Sequence, residues 1–197
     1  GQVAARSELF REGRLAVEIR KAAGRWEPVP GTVAELPHAL DEVYAALQLG
    51  LKDYTEKNGF PGVIAALSGG IDSALVATIA VDALGPNRVF GVTMPSTITS
   101  RDTLADALEL ARRLGIPCLQ IPIAPATGAF QGMLDLAVIQ AYWAKTLPGT
   151  LMEENLQARI RGAVAMALSN KFGHMVVTTG NKSEMATGYA TLYGDMC

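Results

Sequence analysis

Ser68-Gly69-Gly70-Ile71-Asp72-Ser73 stands between an apolar run that ends at Leu67 and a helical stretch that begins with Ala74. Two adjacent glycines let a backbone approach a ligand closely, and the helix N-terminus behind them offers unpaired N–H groups with partial positive charge. A phosphate suits such a pocket. Ser68 and Ser73 add hydroxyl donors, whereas Asp72 would repel a bare phosphate unless a cation lay between them, so its presence implies Mg²⁺. The spacing is neither GxxxxGK[ST] nor GxGxxG. The bland alternative is a Gly-Gly turn in which Asp72 and Ser73 merely cap a helix, and the strand-to-helix context disfavours it.

The pattern around this loop sets the fold. Short apolar runs at Val63 to Leu67, Arg88 to Thr93, Cys118 to Ile123 and Met175 to Thr178 lack strict alternation, as strands buried on both faces of a parallel sheet do. Helical segments separate them: Ser73 to Leu84, Asp102 to Leu114 with Asp102 as its cap and Gly115-Ile116-Pro117 as its close, and Glu153 to Lys171. The alternation predicts an α/β fold, a doubly wound parallel sheet of Rossmann-like type. Before the first of these strands, His38 to Asn58 spaces Leu40, Val43, Tyr44, Leu47 and Leu51 as a helix with one inward face. Residues 1–36 are polar and Arg-rich, punctuated by Gly24, Pro28, Pro30 and Gly31, and read as a connector from an upstream domain, with a disordered tail as the other reading of the same composition.

Two later segments carry further polar groups. On a helix, Asn155, Arg159 and Gly162 share one face, beside an apolar stripe of Leu156, Ile160, Ala163 and Ala167. Arg159 offers a planar fork for a carboxylate or phosphate, and Asn155 an amide for a hydroxyl or another amide; an ordinary solvated face with salt bridges is the alternative. The stretch from Thr178 to Tyr189 leaves the fourth strand where ligands of open α/β sheets gather, and places Glu184 within reach of the metal proposed for Asp72.

The loop resembles the SGGxDS loop of the N-type ATP pyrophosphatases, which include NAD, GMP and asparagine synthetases and tRNA-thiolating enzymes, with an adenine nucleotide alpha hydrolase-like fold. Glu153-Glu154-Asn155-Leu156-Gln157-Ala158-Arg159-Ile160-Arg161, with Thr178-Thr179-Gly180-Asn181-Lys182-Ser183-Glu184 and Gly188-Tyr189 through Tyr193-Gly194-Asp195, resembles the signatures of NAD synthetases of the glutamine-dependent type. The likeness runs from about Pro37 to Cys197, so residues 37–197 are expected to form the synthetase domain. The resemblance implies a ligase that adenylates deamido-NAD with ATP and amidates it with ammonia. It makes Ser68, Gly69, Gly70, Ile71, Asp72 and Ser73 the ATP loop and Asp72 and Glu184 the catalytic Mg²⁺ ligands. Thr179 would be an ATP contact, and Met94 would lie against the adenine unless it is plain core. Asn155, Arg159, Glu184, Tyr189 and Asp195 would meet deamido-NAD. The family continues past the Tyr-Gly-Asp stretch with a further lysine and threonine, a lid and a closing segment, and glutamine-dependent members carry an upstream nitrilase-like amidase domain. The chain is therefore expected to be a C-terminally incomplete piece of something longer, and a homo-oligomer.

Composition narrows the alternatives. A net charge of −2 argues against a broad nucleic-acid face, and no apolar stretch approaches the ~18 residues a membrane span needs. Cys118 and Cys197 lack CxxC spacing, which fits a cytoplasmic protein without disulfides or zinc. Two rivals stay open: another amidating or thiolating ATP pyrophosphatase with a different acceptor, and a non-catalytic adenine-nucleotide-binding module. Two acidic positions facing a glycine loop favour chemistry over sensing.

Overall fold

The computed structural model describes residues 2–134 and 150–195; Met196 and Cys197, to which the family likeness was expected to extend, lie outside them. The chain divides into two units, residues 1–50 and 51–197.

The first unit holds an antiparallel hairpin, β1 (Ile19–Ala22) with β2 (Arg25–Pro28). The hairpin is tight because Ala23 and Gly24 both adopt positive φ, 46° and 81°, the geometry of a two-residue turn that follows the natural strand twist. Its strands are exposed on both faces, and Lys21 Nζ lies 5.8 Å from the centroid of the Trp26 ring. The sequence pattern of this stretch showed no strands. Arg6 Nη1 donates to Ala34 O, tying the two ends of the segment together.

Helix α1 (Ala39–Lys57) forms where the periodicity predicts one. Its expected inward face does not close over: Leu40, Val43 and Leu47 are exposed, Leu40 by 84%, while Tyr44 is half-buried. Within the second unit, Leu51 packs on the core, and the buried Thr55 hydroxyl donates to Leu51 O at 2.7 Å.

The second unit is an α/β layer structure. Strands β3 (Val63–Ala66), β4 (Val89–Thr93), β5 (Cys118–Gln120) and β6 (Met175–Val177) make a parallel sheet in the order β5-β4-β3-β6. Arg88, expected in the second strand, belongs instead to a 3₁₀ turn, Pro86–Arg88, because Pro86 at its start cannot donate to a ladder. Helices α2 (Ile71–Leu84) and α3 (Arg101–Leu114) cover one face, burying Val63, Ala65, Leu67 and Val89 with Ala77, Ala80, Ala107 and Ala111. The cap of α3 is Ser100, whose side chain accepts from Thr103 N at 3.1 Å; Asp102 lies already inside the first turn, where its charge still favours the helix dipole.

Helices α4 (Ala124–Met133) and α5 (Thr150–Phe172) follow β5, and α5 packs on the opposite face, on Ile64, Val92, Met94 and Ile123. Its apolar stripe runs through Leu156, Ile160, Val164 and Leu168, four residues apart, rather than through the exposed Ala163 and Ala167 that the spacing suggested. A six-residue helix α6 (Lys182–Thr187) follows β6. The chain moves from β3 outward to β5 and returns with β6 on the other side of β3. That reversal opens a crevice at the C-terminal ends of β3 and β6, the place where open α/β sheets bind ligands.

Candidate active site at the β3–β6 crevice

The loop after β3 is built to stay open. Gly69 has φ +81°, and a Cβ there would come within 2.3 Å of Thr103 O, so no other residue fits. Ser73, 3% exposed, donates its hydroxyl to Gly70 O at 2.9 Å and accepts from Ser68 N at 3.3 Å. Its one proton being used there, the 3.0 Å contact between the two serine hydroxyls needs Ser68 as donor, while Gly70 N donates to Ser68 Oγ at 3.2 Å. The serines thus brace the loop from inside. Gly70 caps α2 with no side-chain bond, which leaves first-turn N–H groups for an anion. Ile71 and Asp72 are exposed at its mouth.

The segment after β6 meets this loop. Asn181 is the cap of α6 in a reciprocal box: its Oδ1 accepts from Glu184 N at 3.0 Å, and Glu184 Oε2 accepts from Asn181 N at 2.9 Å. Its remaining amide group, Nδ2, donates to Asp72 Oδ2 at 3.3 Å. The two carboxylates expected to share a cation are therefore joined through one asparagine. No group of three or more His, Cys, Asp or Glu side chains suited to a metal occurs among the described residues. Hydrogen bonds to the described residues engage one oxygen of each carboxylate, Asp72 Oδ2 and Glu184 Oε2. A hard divalent cation that keeps waters and takes phosphate oxygens fits this two-carboxylate set.

Two cavities adjoin the loop. The larger, about 530 Å³, has Ser68, Met94, Ile98 and Thr103 in its walls with Glu154, Gln157 and Arg161 of α5. The smaller, about 240 Å³, runs along the end of β6 past Thr178 and Thr179 to Asp195. Met94, 7% exposed, belongs to the core and also lines the cavity wall. Thr179 lines the smaller cavity, whereas Tyr189 is exposed and contributes its N–H to Glu184 O at 2.9 Å.

The polar face of α5 holds its own chain. Asn155 Oδ1 accepts from Thr191 Oγ1 at 2.8 Å, Arg159 Nε donates to Leu192 O at 3.3 Å, and a Cβ on Gly162 would come within 2.8 Å of Gly194 O. Asp195 Oδ1 in turn accepts from Thr191 N at 2.7 Å. The face read as a binding surface positions the turn at Thr191–Gly194 and, through it, Asp195 at the smaller cavity. Arg161, which the sequence reading passed over, enters both cavities and donates Nε to Met94 O at 3.3 Å. Burial pushes its pKa below the ordinary arginine value. His174 lies just before β6, at the end of the sheet away from the loop, in edge contact with Phe90 at 4.6 Å between centroids.

No helix among the described residues is long and apolar enough to cross a membrane. Comparison with known proteins agrees with the geometry. The chain is 46% identical over its whole length to the glutamine-dependent NAD(+) synthetase of Rhodobacter capsulatus, spanning 34% of that protein. It is 53% identical over 92% of its length to the one from Thermotoga maritima, spanning 30% of it. The chain thus spans about a third of the length of these relatives. Among solved structures, the glutamine-dependent NAD+ synthetase of Acinetobacter baumannii in complex with ADP superposes with a TM-score of 0.77 at 46% identity, over 86% of this chain and 31% of that one. The NH3-dependent NAD synthetase of Campylobacter jejuni in complex with nitrate gives 0.70 at 31% identity, over 82% of this chain and 65% of that one. The NAD synthase family model matches residues 43–197, and the chain belongs to that family.

Proposed function

We propose that this chain adenylates the nicotinate carboxylate of deamido-NAD with ATP and then amidates it with ammonia, giving NAD, AMP and pyrophosphate. The observation that carries this reading is the junction of the β3 loop with the β6 segment through Asn181 and Asp72. This junction brings a glycine loop, two carboxylates and two cavities to one sheet crevice, which supports the reading. The names of the relatives support NAD as the product, and the ADP complex described for the Acinetobacter baumannii protein supports an adenine nucleotide as co-substrate.

In this reading the loop around Gly69 and Gly70, with the first-turn N–H groups of α2 behind it, receives the departing pyrophosphate. Mg²⁺ held by Asp72 and Glu184 would supply neutralisation of phosphate charge. Asn155 and Arg159 fix the Thr191–Gly194 turn against which deamido-NAD lies, with Tyr189 and Asp195 at its margin and Met94 and Thr179 on the nucleotide. The loop binds and α5 orients, so the reacting atoms meet without a protein nucleophile. Ammonia attacks the acyl-adenylate carbon, AMP leaves with the bonding electron pair, and a proton is released.

We further place the protein in the cytoplasm, as a homo-oligomer, with residues 1–36 as the connector to an amidase domain that releases ammonia from glutamine. A different acceptor on the same loop is the rival reading. The test supplies the full-length protein with ATP, Mg²⁺, deamido-NAD and either ammonia or glutamine, following NAD, AMP and pyrophosphate together. NAD from both nitrogen sources is expected. NAD from ammonia alone would remove the amidase, and a folded, ATP-binding protein that makes no NAD would overturn the acceptor.

A further inference from the structure

The two cavities share four residues, Ala66, Ser68, Met94 and Arg161. Among the described residues lining either cavity, Arg161 is the one cation. Its place follows from helix geometry. Glu154, Gln157 and Arg161 recur at spacings of three and four toward the larger cavity, while Ala158, Gly162 and Ala165 do so toward the smaller one, and Arg161 stands on the ridge between.

No carboxylate among the described residues pairs with Arg161. Its hydrogen bond to the described residues is from Nε to Met94 O, which fixes one edge of the guanidinium and leaves the two Nη groups as a fork. A half-buried cation without an acid is costly, and its lowered pKa is caused by that desolvation. Such a group recovers the cost when an anion with two oxygens arrives. The α-phosphate is the one phosphate that must lie where nucleotide and acceptor meet, because it stays bonded to the nucleoside while it exchanges pyrophosphate for the acceptor carboxylate in the first step.

Building on the reading above, we infer that Arg161 grips the α-phosphate of ATP and of the adenylate, across the junction of the two cavities. In that step a carboxylate oxygen forms a bond to the α-phosphorus and the bond to the bridging oxygen breaks. Its electron pair leaves with pyrophosphate. Arg161 stays protonated throughout, meeting the two non-bridging oxygens of the α-phosphate as the phosphorus passes between partners.

The test uses full-length protein with Arg161→Gln and Arg161→Lys, first in calorimetric binding of AMP and of adenosine. Arg161→Gln should weaken AMP about tenfold or more while leaving adenosine within about threefold, and Arg161→Lys, which keeps the charge and loses the fork, should recover part. Deamido-NAD-dependent exchange of pyrophosphate into ATP should slow about a hundredfold in Arg161→Gln. Equal loss for AMP and adenosine, or none, in variants with unchanged Tm would overturn the assignment. Should Arg161→Gln fail to fold, the same ratio is read on Arg161→Lys alone. If the unaltered protein shows no deamido-NAD-dependent exchange but the AMP-against-adenosine difference holds, the acceptor is wrong and Arg161 remains an α-phosphate ligand.

Discussion

Asn181 Nδ2 donates to Asp72 Oδ2 at 3.3 Å, so the cap of a short helix after the last strand is also the brace of the acid in the first loop. The two functions separate by substitution. Asn181→Ala removes both and should cost about 1 kcal/mol from the lost cap, with a raised Mg²⁺ requirement. Asn181→Asp keeps an acceptor for Glu184 N but sets a carboxylate against Asp72. It should hold Tm near that of the unaltered protein only when Mg²⁺ is present. Thermal melts with and without Mg²⁺ decide; a Mg²⁺-independent Tm in Asn181→Asp would dissociate Asp72 from the cation.

Asp72→Ala removes a ligand aimed at developing phosphate charge. A loss of about 3 to 4 kcal/mol slows adenylation by roughly two to three powers of ten. Unchanged pyrophosphate release in that variant of the full-length protein would sink the metal assignment.

Gly69→Ala should be more damaging to the fold than any other single methyl added to the loop. The left-handed conformation alone costs about 1–2 kcal/mol for an L residue, and the overlap with Thr103 O forces α3 away from the loop. Tm should fall and ATP binding should weaken together, as seen by melting and calorimetry. Binding retained at full strength would mean that the loop can reshape at no functional cost.

Arg159→Ala should weaken deamido-NAD far more than ATP, because its contact is to Leu192 O in the turn beside the smaller cavity. Equal weakening of both ligands, measured separately by titration, would place Arg159 in nucleotide binding instead.

Much of this arrangement was legible in the sequence, for identifiable reasons. The central strand β3 is buried and reads as an unbroken apolar run, whereas the edge strand β5, expected to be buried on both faces, leaves Leu119 exposed because no second neighbour pairs with it among the described residues. The glycine loop falls where strand periodicity gives way to helix periodicity. Helix α4 escaped notice because Ile121-Pro122-Ile123-Ala124-Pro125 reads as a break, yet Pro125 lies in the first turn, where its missing N–H has no partner to lose. Helix α6 was signalled by the Asn181-Lys182-Ser183-Glu184 capping box, but Glu184 drew attention for its charge alone. Arg161 had no signal of its own: beside Arg159 it reads as one of two surface arginines, and only the seating of α5 on β3 and β4 turns it inward.

Away from the site, Glu109 accepts from Arg112 Nε and Nη2 at 2.7 and 2.8 Å and from Arg113 Nε at 2.8 Å. Hydrogen bonds from Arg112 and then Arg113 hold its carboxyl down, from 4.5 to about 2. A depressed acid contributes its stability above its unfolded value and loses it as pH falls through the folded one, here between about 4.5 and 2. Glu109→Gln should therefore flatten the fall of Tm across that window, less so at high salt because the cluster is exposed. A Glu109 carboxyl that titrates near 4.5 by NMR would contradict the arrangement.

The order of the sheet also bears on how the molecule is made. Val63 pairs with Val89 on one side and with Met175 on the other, so the second partner of β3 is synthesised long after the first. Until it emerges, the nascent sheet presents Val63 to Ala65 as a bare edge open to strands of other chains. The strand that seals this edge is the one that delivers Thr179, Asn181 and Glu184. Protection from aggregation and completion of the crevice thus arrive in a single late step of chain growth, and a ribosome stalled before Met175 would release a product lacking both.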